Sequence, residues 1–437
     1  MKKLLLLCLL PLLSFSQGYT SYFTGNTTNV TTTPTFGVCL MGGATENDNA
    51  MAWLLQKANG GDVVVLRSSG SNGYNDYFYS QLGVTINSVE TLVITSVAGA
   101  INPYVLDKIA NAELIWFAGG DQWDYVSYFK NNAVEDKINQ HINVKHAPIG
   151  GTSAGMAILG GYYFTAQNGS VTSAQAMNNP YASNVTIGGF TGMPQRDFLS
   201  VPFLGNVITD THYDNPDRKG RHVAFLARIM TDYSPSAYGI ACNEYVAVCI
   251  GTDGLAHVYG DYPNYQEFAY FIQPNCEWMN SIENCQPGQP LTWNYGSRAV
   301  MAYKVPGTIN GTSYFDVNNW ANYNSPNNVG GSWESWSVNN GVLSTTQGTG
   351  PTQSCMLSVG QNELNKFNAL PNPFSDYVIL ENAENAIVTI FDSLGKKVFT
   401  DSKYTGNTID TSQFTTGLYF VKIQKEDNFK TKKMIKN

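Results

Sequence analysis

The stretch GGTSAGMAILGG, Gly150 to Gly161, surrounds one hydroxyl, that of Ser153, with residues that have almost no side chain. Within it, Gly151-Thr152-Ser153-Ala154-Gly155 is a G-x-S-x-G pattern. Where a strand turns abruptly into a helix, a serine on the turn sits in strained backbone geometry, and only small neighbours fit. The turn exposes the hydroxyl as a nucleophile. It also aims the next backbone N–H, that of Ala154, at the oxygen that becomes negative during acyl transfer. The context suits an elbow: HAPIGG reads as a strand before Ser153, and AGMAILGG as an apolar helix start after it.

A serine is a poor nucleophile without a base. Of five histidines, His141 lies in a polar helical segment and is expected at the surface. His146 heads the strand that leads into Ser153, at the wrong end. His222 and His257 show no strand-end placement. His212 follows the short apolar run GNVITD, and so is expected at the same carboxyl-end edge as Ser153. A carboxylate should orient its imidazole. Glu244 is a single acid between two apolar runs in YGIACNEYVAVCIG, a position costly to bury unless paired. The chain order Ser153, His212, Glu244 differs from the Ser, Asp, His order of α/β-hydrolases.

These residues need a scaffold. From about residue 35 to 165, short apolar strands ending in Gly or Ser alternate with helical segments: TFGVCLMGG, DVVVLRSS, TLVITS, AELIWFAGG and HAPIGG. That pattern predicts a parallel sheet covered on both faces, with ligands bound beyond the carboxyl ends of its strands. Gly42-Gly43, Gly119-Gly120 and Gly150-Gly151 therefore point to one edge. After residue 260 the texture becomes rich in Asn, Gly, Ser and Trp, which predicts a β-rich, loop-rich extension. The last 72 residues carry 10 Lys against 8 Asp or Glu in a chain whose net charge is -8, and their short alternating strands predict a small β-sandwich.

The acidic balance argues against nucleic-acid binding, which needs a clustered basic face. Lys2, Lys3 and the ten-residue apolar run LLLLCLLPLL, followed by small residues, read as an export signal cleaved near Gln17. No later run is long and apolar enough to span a bilayer. In an exported chain disulfides can form. Cys276 and Cys285, which enclose CEWMNSIENC, are the candidate pair, while Cys39 and Cys249 lie in apolar runs and are expected as buried free thiols. No C-x-x-C or histidine cluster suggests a metal, and the chemistry calls for no cofactor.

The segments FAGGDQ, GGTSAG, DTHYDNPDRKGR and GIACNEYVAV, with LMGGATE and YFYSQLGV, resemble the cyanophycinase and peptidase E family of serine peptidases over about residues 35–260. The resemblance implies an α/β fold, a parallel-sheet three-layer domain like class I glutamine amidotransferases with serine in place of their cysteine. It implies a Ser153–His212–Glu244 triad and no metal. It implies that the turn Gly119 to Gln122 gives the second oxyanion donor, from the backbone of Gly120 or Asp121, and that Gln122 helps hold substrate. Arg218 and Arg221 match two family arginines by distance from His212. A guanidinium fork suits the free α-carboxylate of a β-linked aspartate. Thr211 stands where the family usually has glutamine, Pro216 replaces its first arginine, and the glutamate is displaced by two positions. The implied activity is exopeptidase cleavage of aspartyl-containing peptides, with β-Asp–Arg bonds of cyanophycin as the family's substrate.

The segments LPNPFSDYVIL, VTIFDSLGKKV, GLYFVKI and KTKKMIKN resemble the C-terminal sorting domain of type IX secretion. This implies the secretion machinery as a partner and a secreted or cell-surface location. The expected division is 1–16 signal peptide, 17–265 serine peptidase, 266–365 extension and 366–437 sorting domain. The alternative reading is a non-catalytic extracellular or surface binding protein with a degenerate peptidase fold. Its basis is the aromatic, Asn-rich segment 290–345 as a carbohydrate-binding face.

Overall fold

The computed structural model describes residues 17–189, 197–234, 236–275, 282–320, 327–348, 367–393, 395–406, 408–425 and 428–437. The expected signal peptide and Cys276 lie outside these. The chain divides into two compact units, residues 1–353 and 354–437.

In chain order the strands of the first unit are β1 (Tyr19–Gly25), β2 (Val38–Met41), β3 (Asp62–Arg67), β4 (Ser88–Ile94), β5 (Leu114–Phe117), β6 (Ile149–Thr152), β7 (Tyr163–Phe164), β8 (Ile187–Gly188), β9 (Val207–Asp210), β10 (Tyr238–Cys242), β11 (Ala247–Ile250), β12 (Leu255–Tyr259), β13 (Phe268–Pro274), β14 (Val300–Pro306), β15 (Ser313–Asp316), β16 (Ser332–Asn339) and β17 (Val342–Gln347). The main sheet runs β1-β4-β3-β5-β6-β2-β11-β12-β15. Its centre, β4-β3-β5-β6-β2, is parallel, and antiparallel strands flank it.

The central strands β2, β3 and β5 have apolar cores because both faces of the sheet are covered. Val64 and Leu66 of β3, with Ile115 and Phe117 of β5, pack into one core. Val63, Val65, Leu114 and Trp116 pack into the other. Helices Pro103–Asn111, Gln122–Phe129 and Ala133–Asn143 bury Val105, Ile109, Tyr125, Phe129, Val134 and Ile138 in the first. Helix Asp48–Gln56, whose N-cap Asn47 accepts from Ala50 N–H, buries Met51, Leu54 and Leu55 in the second. This is the expected three-layer α/β arrangement. Trp116 is fully buried at the centre of the second core, so its truncation to Ala would cost about 3–5 kcal/mol.

A second sheet, β17-β16-β14-β13-β10-β9, was not foreseen. Only β9 and β10 in it are parallel; the segment after residue 260 supplies the remaining four strands, so much of the extension is built into the fold. Among its described residues, three of the tryptophans are core. Trp293 and Trp336 are buried, and Trp320 stacks on Tyr238 with ring centroids 4.5 Å apart. These three tryptophans therefore do not form the exposed aromatic face that the binding-protein alternative called for.

His141 is also corrected. It lies on the buried face of helix Ala133–Asn143, its Nε2 3.0 Å from the Pro148 carbonyl, and burial pushes its pKa down to about 4.

In the second unit, Asn368–Leu370, Tyr377–Glu381 and Ile409–Asp410 form one antiparallel sheet. Lys397–Asp401, Ile387–Asp392, Gly417–Lys425 and Asn428–Lys436 form another. The inward alternation Val378, Leu380, Val388, Ile390, Val421 and Ile423 supplies their common core.

Candidate active site

Ser153 follows β6 and precedes the short helix Ala154–Ala157. Its φ of 52° is left-handed, a conformation a serine adopts only under strain. The small neighbours are required by backbone packing. A Cβ on Gly151 would lie 2.6 Å from the Gly155 carbonyl oxygen, and one on Gly155 would lie 2.3 Å from the Phe117 carbonyl oxygen. Ser153 occupies the helix N-cap position but makes no side-chain cap bond. Its hydroxyl points elsewhere: Oγ lies 2.8 Å from Nε2 of His212.

On the other side of the imidazole, Nδ1 of His212 lies 2.6 Å from Oε1 of Glu244. With a carboxylate at Nδ1, the neutral ring carries its proton there and leaves Nε2 as the acceptor for the serine hydroxyl. The structure therefore brings Ser153, His212 and Glu244 into one hydrogen-bonded chain. They do not share a sheet, as the sequence suggested. Ser153 caps a strand of the main sheet, whereas His212 and Glu244 follow β9 and β10 of the second sheet.

Backbone bonds knit the two sheets where they meet. His212 N–H donates to Gly42 O at 2.8 Å, Tyr245 N–H to Gly43 O at 3.1 Å, and Gly42 N–H to Val246 O at 2.8 Å. Gly43 has φ 123° and lies under the imidazole: a Cβ there would stand 2.4 Å from Nε2. His212 has φ 45° and Tyr245 φ 66°. The Glu244 N–H donates to Oδ1 of Asp214 at 3.0 Å, which ties the glutamate's turn to the histidine's loop. This two-sheet junction accommodates the displaced glutamate.

A pocket of about 210 Å³ opens beside the serine, lined among others by Gly120, Gln122, Ser153, His212, Arg218 and Arg221. Gly119 lies over the serine, since a Cβ there would come 3.5 Å from Ser153 Cβ. Gly120, with φ 151°, carries the chain into the pocket wall. Asp121 points its carboxylate away from the pocket chemistry: it caps helix Gln122–Phe129 by accepting from Trp123 N–H. Only its backbone is available for an oxyanion. Gln122 donates its amide to Phe164 O at 3.3 Å.

The two arginines have different jobs. Arg221 is buried, and its Nε donates to Oδ2 of Asp210 at 2.9 Å. Its Nη2 donates to Oδ1 of the same residue at 2.5 Å, and its Nη1 to Val171 O at 3.3 Å. The fork expected to hold substrate already holds an internal carboxylate. Arg218 donates from Nη1 to Thr211 O at 3.0 Å, stands 4.0 Å from Asp210, and keeps about a fifth of its side chain exposed. Asp210 was missed by sequence reasoning, although a single acid at the end of the apolar run GNVITD is the same signal that singled out Glu244. Burial alone would raise its pKa; the Arg221 guanidinium outweighs burial and holds the carboxyl below its usual range.

Cys285 is a buried free thiol, and its expected partner Cys276 lies outside the described residues. Cys39, Cys242 and Cys249 are buried too, with no disulfide closed between them in this structure. Among the described residues no group of three or more His, Cys, Asp or Glu could hold a metal ion, and no helix is long and apolar enough to cross a membrane.

Residues 368–437 match the secretion system C-terminal sorting domain. Upstream, the chain is 23% identical over 219 residues to a cyanophycinase of Synechococcus elongatus and to one of Thermosynechococcus vestitus. Each match covers 47% of this chain and 58% of the relative, so the chain spans less than two thirds of the length of these curated relatives. A solved peptidase from an acI-B1 actinobacterium aligns at 14% identity with a TM-score of 0.38, over 54% of this chain and 94% of that one. Upstream of its sorting tail the chain is similar to cyanophycinases over about half its length. That tail indicates secretion by the type IX system to the cell surface or the extracellular space.

Proposed function

We propose that this protein is a secreted serine-type exopeptidase that hydrolyses aspartyl-containing peptides, with β-Asp–Arg linkages as the first to test. In this reading residues 17–265 carry the chemistry, 266–365 build out the fold around it, and 366–437 address it to the secretion machinery. The observation that carries the reading is the continuous hydrogen-bond chain from Glu244 through His212 to Ser153.

His212 Nε2 takes the hydroxyl proton as Ser153 Oγ attacks the scissile carbonyl. Glu244 holds the ring in the required tautomer and stabilises the imidazolium that forms. The carbonyl oxygen becomes an oxyanion facing the Ala154 N–H, whose place at the first turn of the helix leaves it without an intrahelical acceptor. The backbone of Gly120 or Asp121 gives the second donor. Each such donor is worth on the order of 10²–10³ in kcat. His212 then protonates the leaving amine, and a water repeats the sequence on the acyl-enzyme.

Asp210 neutralises Arg221 inside the pocket wall, so Arg218 gives the pocket its net positive character. We assign the substrate carboxylate to Arg218, with Gln122 beside it, and give Arg221 the role of holding the wall. Arg218 and the polar pocket support an aspartyl substrate over an apolar one.

The test is release of soluble dipeptide from insoluble cyanophycin by the mature protein beside Ser153→Ala. Release by the parent and not the variant is expected. If both are silent on cyanophycin and on β-aspartyl and Asp-X peptide libraries, the peptidase reading is wrong.

A further inference from the structure

Cys39 and Cys249 take no part in the chemistry above, yet their placement is unusual for an exported chain. They face each other in the antiparallel ladder between β2 and β11. Their Sγ atoms lie 3.7 Å apart, both residues have no exposed surface, and both point into the core beneath helix Asp48–Gln56. Directly opposed residues on antiparallel strands have Cα atoms about 4.5–5.5 Å apart. That lies within the span native disulfides bridge. Closing the gap between the sulfurs therefore needs side-chain rotation and no displacement of the strands.

The other described thiols are placed differently. Cys242 points its Sγ at the Leu40 carbonyl, 3.6 Å away, on the opposite face of the sheet. Cys285 lies in a third core cluster. The pair also sits under the site. β2 runs on from Cys39 through Met41 to Gly42 and Gly43, which contact His212, and Glu244 lies on the turn that leads into β11.

We infer that Cys39 and Cys249 form an intramolecular disulfide in the exported protein. The sorting tail indicates a cell-surface or extracellular destination, outside the reducing cytosol, where disulfides form and persist. The oxidant is a disulfide, either a small molecule such as oxidised glutathione or a protein disulfide donor. One cysteine thiolate attacks it and displaces a thiolate, leaving a mixed disulfide. The second cysteine thiolate attacks that bond and displaces the other half. The two cysteines lose two protons and two electrons; the oxidant leaves as two thiols. Burial pushes the Cys249 thiol up, which makes it inert in the closed sheet, so the exchange occurs before the sheet closes. The bridge encloses a long loop that contains Ser153, His212 and Glu244, restricts the unfolded chain, and staples β11 to β2 beneath the catalytic edge.

The experiment uses the full chain collected after export, or refolded from denaturant in a glutathione redox buffer. It is denatured without reductant, alkylated with iodoacetamide, digested and mapped. The expected result is a Cys39 peptide joined to a Cys249 peptide, with Cys242 alkylated and the same linkage in Cys242→Ala. Reducing the parent should lower its thermal midpoint by several degrees. The same reductant should leave the midpoint of Cys39→Ala/Cys249→Ala unmoved. Recovery of Cys39 and Cys249 both alkylated, or of Cys39 joined to Cys242, would overturn the inference. Loss of peptidase activity in every sample would leave this result unaffected, because the linkage is read by mass.

Discussion

A positive φ is used in two regions and filled by different residues. In the C-terminal unit, among the described residues, it falls on Asn382 (φ 58°), Asn385 (φ 62°) and glycines such as Gly395 and Gly406. Asn and Gly adopt it with little penalty. At the junction of the two large sheets it falls on Ala44 (φ 63°), Ser153 (φ 52°), His212 (φ 45°) and Tyr245 (φ 66°). Residues of those types held there store about 1 kcal/mol or more each. The tail fills these turns with residues that suit them; the junction fills them with Ala, Ser, His and Tyr, two of which, Ser153 and His212, belong to the proposed triad.

The largest expected effect comes from exchanging one choice for the other. Ser153→Gly and Ser153→Ala should each lower kcat by about 10⁴-fold or more, measured on the substrate the parent cleaves. The two should differ in stability. Glycine relieves the strain, so Ser153→Gly should melt higher than Ser153→Ala by an amount equivalent to about 1 kcal/mol. Equal midpoints would mean that the elbow stores no strain.

Next comes the buried pair beneath the histidine turn. Asp210→Asn leaves the Arg221 charge in the wall without its partner and should destabilise the catalytic unit by about 3–5 kcal/mol in urea unfolding. Arg218→Gln should change stability little and raise KM for carboxylate-bearing substrates about tenfold to a hundredfold, while kcat moves less. If Arg218→Gln instead unfolds the chain and Asp210→Asn is silent, the assigned roles are reversed.

Acid should then separate the regions. All five histidines lie in the first unit. Burial pushes His141 and His222 down to about 4. The unfolded chain takes up their protons near 6.5, before the folded chain does. The stability they contribute is therefore complete above about pH 6.5 and is lost as pH falls toward 4, by roughly 3 kcal/mol for each. Melting followed at pH 7 and pH 4.5 should show the first unit's transition moving down while that of the tail stays. A tail that falls in step would contradict this.

The smallest effect is in the tail. Asn382→Ala places an unsuited residue in a left-handed turn and should cost about 1 kcal/mol in the tail's own transition, with peptidase activity unchanged.

The elbow was legible because its small residues have a local cause: backbone packed on backbone between Gly151, Gly155 and Phe117. His212 and Glu244 were legible as polar groups closing apolar runs. Which sheet those runs join was not, since the pairing of β9 and β10 with β13 and β14 depends on residues far along the chain. Arg221 was found by its distance from His212, but that distance said nothing of the carboxylate it would meet. The burial of His141 was readable in principle: Val134, Ile138, His141 and Ile142 fall on one helical face. The tryptophans after residue 290 looked like a surface because charge around them is sparse, and sparse charge equally describes a core.

The most direct test of the central claim is covalent. A β-aspartyl ester acylates faster than an amide and makes release of the acyl group the slow step. Acid quenching during turnover, followed by mass mapping, should place a β-aspartyl adduct on the peptide that contains Ser153, and none in Ser153→Ala. Turnover that continues undiminished in Ser153→Ala, with no adduct on the parent, would contradict the account.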